Sequence, residues 1–146
     1  MEKNMEKYNS YTLAFDRINK ALEAEFPLEA IAIEESIITD RLMSFALAIG
    51  IKAHKNSLLG YLVSKIKDEV DNEEVKEFMD KIDKWREQRN EKLHAIVKSL
   101  PGTGPDVKAE DFVDEAMELA REGKDLAKET SNWHRRQMKL SQSEQG

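Results

Sequence analysis

Apolar residues in this chain recur at steps of three and four almost everywhere, and no stretch alternates long enough to make a strand. That periodicity predicts an all-α fold. The first helix is expected from about Asn4 to Glu25, with Tyr8, Tyr11, Phe15, Ile18 and Leu22 on one stripe. Pro27 suits the first turn of a second helix, expected to reach about Ile51. The turn "HKNS" (His54 to Ser57) offers Ser57 as N-cap of a short third helix carrying Leu59, Leu62, Ile66 and Val70. Asp71 with Glu74 reads as a capping box for a fourth helix that runs to Leu100. "PGTGPD" (Pro101 to Asp106) is the clearest break; with no strand before it and no Lys-Ser/Thr after it, it reads as a helix connection rather than a phosphate loop. A fifth helix follows to about Met138, with Phe112, Ala116, Leu119, Leu126 and Trp133 inward. Short connections favour antiparallel neighbours, hence an up-down bundle of about five helices. One domain is expected over residues 1–140, with a frayed tail at 141–146.

Several functional classes fall away on composition. The 146 residues contain no cysteine, which excludes disulfides and thiolate metal sites. The N-terminal "MEKNMEKYNS" lacks the apolar core of a signal peptide, and Ala30 to Ile51 is broken by Glu34, Glu35, Asp40 and Arg41. A cytoplasmic protein with no membrane span is the expectation. The net charge of −6 gives no global attraction to nucleic acid, so such a partner would need a local basic patch.

The fourth helix holds the conspicuous chemistry. Its apolar stripe reads Val75, Phe78, Ile82, Trp85, then Arg89, then Leu93, Ile96 and Leu100. A permanent cation on that line needs either an acidic partner or a cleft to line. The second helix offers a carboxylate. Its stripe, Ile31, Glu35, Ile38, Leu42, Phe45 and Ile49, places Glu35 at a core position, with Glu34 beside it. An arginine–carboxylate pair between the two helices is the expectation, and by itself it can be a purely structural device that sets register. Asn90 and His94 share a face one i,i+4 step apart, Arg86 extends that line one turn back, and Lys92 and Lys98 add charge nearby. A guanidinium, an amide and an imidazole around one groove edge suit a phosphate. The pair of Glu-x-x-His motifs on two helices that di-metal bundles need is missing, since only Glu91 and His94 have that spacing, so neither metal nor cofactor is implied.

The segment Arg89-Asn90-Glu91-Lys92-Leu93-His94, late in a long helix and paired with the acid-bearing helix "AIAIEESIITDRLMSFALAIG", resembles the HEPN superfamily of small all-α proteins. The likeness spans about residues 10–135. It implies a metal-independent endoribonuclease of toxin–antitoxin, phage-defence or RNA-processing type, acting as a homodimer whose two Arg/His helices meet at one composite cleft. On that likeness Arg89 binds the scissile phosphate, His94 moves protons, Asn90 orients one or the other, and Glu35 holds Arg89. RNA is then the substrate, and a cognate antitoxin or nucleotidyltransferase the expected partner. One branch of the family carries a tyrosine two residues after the histidine as the site of AMP attachment; here that position is Ile96. The alternative is a non-catalytic HEPN-like module that binds a nucleotide or a protein.

Overall fold

The computed structural model describes the backbone of residues 2–95 and 109–145 and the side chains of 5–94 and 111–141. It is an all-α helical bundle of five helices, without strands among the described residues. The helices are α1 (Glu2–Glu23), α2 (Pro27–Ala48), α3 (Leu59–Glu69), α4 (Glu73–Ala95) and α5 (Ala109–Gln145). The expected connection at Pro101 to Asp106, together with Ile96, Lys98 and Leu100, lies outside the described residues. The fifth helix continues past Met138 and through most of the expected tail.

The chain divides into two compact units, to which α2, α4 and α5 each contribute one portion. The first comprises residues 1–34 and 88–124. Its core includes Ile18, Ala30, Ile31, Phe112, Ala116 and Leu119. The α1 stripe is only partly inward: Ile18 is buried, Tyr11, Phe15 and Leu22 are half-buried, and Tyr8 is exposed. Arg17 pairs with Glu29 at 2.8 Å to tie α1 to α2.

The second unit, residues 35–87 and 125–146, holds most of the large buried side chains. Trp133 of α5 is its centre. The indole lies 4.8 Å from the Phe45 ring of α2 and 5.2 Å from the Phe78 ring of α4, centroid to centroid. Leu42, Leu62, Ile66 and Ile82 of the same unit are wholly buried. At the surface Lys81 pairs with Glu129 at 2.7 Å, and Lys67 pairs with Asp80. The hydrogen bond to Asp80, and then the charge of that carboxylate, raise the Lys67 pKa above the usual lysine value.

Helix ends differ from the sequence reading for identifiable reasons. The second helix stops at Ala48 rather than Ile51, because Gly50 turns left-handed (φ 86°) and the chain folds back. Ile51 N–H donates to Ala46 C=O and Gly50 N–H to Leu47 C=O, the paired bonds of a Schellman cap. The end of α1 is built the same way: Phe26 N–H donates to Ala21 C=O and Glu25 N–H to Leu22 C=O. There the left-handed residue is Glu25 (φ 59°), not glycine. Ser57 does not cap α3: its hydroxyl accepts from His54 N–H inside the turn, and the N-cap position is Leu58. The cap of α4 is Asn72, whose side-chain oxygen accepts from Val75 N–H at 3.2 Å, one residue along from the expected Asp71/Glu74 box.

Two stability measurements follow. Trp133→Ala should cost about 3–5 kcal/mol in urea denaturation, because it removes the side chain shared by three helices; a loss under about 1 kcal/mol would show that this layer is not the core. Glu25→Gly should raise stability by roughly 0.5–1 kcal/mol, since the left-handed conformation strains every residue with a Cβ.

Candidate functional site

On α4 the inward line begins as the spacing requires, with Val75, Phe78, Ile82 and Trp85 buried. The line then opens: Arg89, Asn90 and Leu93 are half-buried, and His94 is exposed. Five residues separate Arg89 from His94, a rotation of about 140°, so the guanidinium turns inward while the imidazole faces water. The Arg89 Nε is shut away from solvent. Asn90 sits one turn before His94 on the same face.

The carboxylate at the core of α2 is Glu34, not Glu35. Glu34 is wholly buried, both of its oxygens included, while Glu35 is half-buried. The two glutamates stand roughly 50° to either side of the line through Ile31 and Ile38, so a 100° wheel alone cannot choose between them. Ile49, expected on the same stripe, is exposed beyond the end of the helix. Glu34 belongs to the same compact unit as Arg89, Asn90 and His94. Neither Glu34 nor Arg89 stands without a partner. Glu35 belongs to the second unit, where it lines a cleft of about 370 Å³ with Ser36, Thr39, Asp40 and Lys55.

Two other cations of α4 expected near the site are engaged. Lys92 lies 3.2 Å from Glu115 of α5. Arg86, in the second unit, donates through Nε and Nη2 to Asp83, each at 2.9 Å. Its guanidinium lies across α3 at Gly60, where a Cβ would come within 3.3 Å of it. That explains a glycine inside the first turn of α3. Lys98 lies outside the described residues.

Of the other histidines, His54 is exposed in its turn, and its Nδ1 accepts from Asn56 N–H. His134 is half-buried within α5, and its Nε2 is hydrogen-bonded to the Ser44 hydroxyl of α2 at 3.0 Å. Among the described residues no three His, Asp or Glu side chains are grouped to hold a metal ion, and no helix is long and apolar enough to cross a membrane.

Compared with protein-family models, with curated proteins and with solved structures, the chain matches none.

The burial of Glu34 is directly testable. Glu34→Ala should destabilise by about 3–5 kcal/mol, the scale seen when one member of a buried charged pair is removed. A double-mutant cycle with Arg89→Met, read by chemical denaturation, should show coupling above about 1 kcal/mol; independent, additive losses would show that the two residues do not support each other.

Proposed function

We propose that the protein is a metal-independent endoribonuclease of HEPN type. The observation that carries this reading is the arrangement on α4: a guanidinium whose inner end is shut away from solvent, and an exposed imidazole five residues further on. An anchored arginine offers two fixed donors to non-bridging phosphate oxygens, and an accessible histidine can exchange protons with a bound ribose. Glu34 takes the supporting role that the sequence reading gave to Glu35, because it is the wholly buried acid of that unit.

In this reading His94 removes the proton from a ribose 2′-hydroxyl. The 2′-oxygen forms a bond to phosphorus, the bond from phosphorus to the 5′-oxygen breaks, and a proton passes to that leaving oxygen. Arg89 stabilises the charge that grows on the phosphoryl oxygens, and Asn90 orients the phosphate or the imidazole. The products are a 2′,3′-cyclic phosphate and a 5′-hydroxyl, with no water consumed. A two-fold pairing of two α4 helices would supply a second histidine as the acid, and a cognate antitoxin or nucleotidyltransferase is the partner that this class of activity calls for.

A non-catalytic module that binds a nucleotide or a protein is the second reading. The pairing of Lys92 with Glu115 favours it, since it leaves less free positive charge beside His94.

Cleavage of single-stranded RNA should proceed in EDTA and leave 2′,3′-cyclic ends, while DNA, lacking the nucleophile, stays intact. His94→Ala should lose roughly 10²- to 10⁴-fold in rate, and Arg89→Lys should also be impaired because lysine lacks the fixed fork of donors. Full activity in His94→Ala, or activity abolished by EDTA, would overturn the mechanism. Light scattering should report a dimer at micromolar concentration; a monomer that cleaves RNA would remove the composite site.

A further inference from the structure

The chain carries 29 acidic residues among 146, yet residues 130–143 contain none. Within and just before that stretch, Lys128, Asn132, Arg135 and Lys139 follow one another at steps of four, three and four along α5. That spacing puts them on one face of the helix. All four are exposed, as is Arg136 at the edge of the row. The opposite face of the same stretch is committed to the core through Leu126, Thr130 and Trp133. Glu129, the nearest acid on the flank, is already neutralised by Lys81 at 2.7 Å. Among the described residues no ion pair engages Lys128, Arg135, Arg136 or Lys139. Asp125, also exposed, marks the N-terminal limit of the row.

We propose that this solvent face of α5, built on Lys128, Asn132, Arg135, Arg136 and Lys139, is a docking surface for the phosphate backbone of single-stranded RNA. The choice of RNA as occupant rests on the proposed function; the surface itself rests on a different helix and a different observation. Four cations that no ion pair engages among the described residues, with Asp125 the one acid at the end of their row, form a local positive field in a protein of net charge −6. From Lys128 to Lys139 the row spans about 16 Å of helix, enough to meet more than one backbone phosphate. The two adjacent guanidiniums suit bidentate contact with phosphate oxygens, and Asn132 adds a neutral donor. A lipid surface fits less well, because a membrane-lying helix needs an exposed apolar face and that of α5 is buried. A folded protein partner fits less well too, because the only exposed large apolar side chain beside this surface among the described residues of α5 is Leu140, one turn beyond Arg136 at its edge, where a protein interface needs a cluster of apolar anchors.

The test is fluorescence anisotropy with a short labelled single-stranded RNA, using the chain carrying His94→Ala so that the probe survives. The triple variant Arg135→Ala/Arg136→Ala/Lys139→Ala in that background should bind at least about tenfold more weakly at moderate salt. Its dependence of log K on log salt should flatten by about 2, three lost contacts at roughly 0.7 each. Circular dichroism should be unchanged, since all three side chains are exposed. A control triple, Lys52→Ala/Lys55→Ala/Lys84→Ala, removes the same charge elsewhere and should leave most of the binding. Equal losses in both triples, unchanged binding in the α5 triple, or binding to anionic phosphatidylserine vesicles in place of RNA would overturn the proposal. If the α5 triple loses RNA binding while the unmodified chain cuts no RNA, the docking surface stands and the proposed activity falls. If the unmodified chain cleaves RNA, the α5 triple binds RNA as well as His94→Ala alone, and the same three substitutions with His94 retained leave cleavage unchanged, the reverse holds.

Discussion

A carboxylate with no access to solvent is the most demanding feature of this molecule. Glu34 sits in the middle of α2 among Ala30, Ile31, Ile37 and Ile38, and a bare carboxylate in such surroundings would cost far more than a domain's whole stability. A fold that keeps it ionised must surround it with polar groups or opposite charge. Hydrophobic residues of similar volume would pack there at lower cost. Arg89, whose Nε is also shut away from solvent, lies in the same unit.

Around that constraint the helices are positioned by ordinary means. Trp133 fills the space between Phe45 and Phe78 in the second unit, and its burial sets the rotation of the C-terminal part of α5. With Trp133 turned inward, the 100° repeat carries Lys128, Arg135 and Lys139 outward. The same large side chain that stabilises the unit therefore determines which face of α5 presents charge. On α4 the equivalent relation runs through Trp85 and Arg89, with His94 left at the surface.

Much of the architecture was legible because periodicity is a backbone property. The inward residues of α5, Phe112, Ala116, Leu119, Leu126 and Trp133, are buried as their spacing requires, and so are Val75, Phe78, Ile82 and Trp85 on α4. The helix ends were less legible. Several short polar residues compete for each cap, and the choice among Asp71, Asn72 and Ser57 rests on local dihedral angles that no spacing rule contains. Gly50 carried a readable stop signal for α2; Glu25 carried none, since a glutamate in the left-handed region is against its own preference.

By itself, the sequence determined that the fold is all-α, that the stripes of α5 and of α4 as far as Trp85 face inward, and that α4 bears an arginine, an asparagine and a histidine at helical spacing. Those follow from the 3.6-residue repeat and the cost of exposing apolar surface. Only the tertiary structure decided that Glu34 rather than Glu35 is the buried acid, that Arg86 and Lys92 are tied to Asp83 and Glu115, and that His134 bonds to Ser44. The physical reason is that a helical wheel leaves two neighbouring residues equally placed about its inward line. Which of them is buried, and which charges find partners, depends on what the other helices bring against that face.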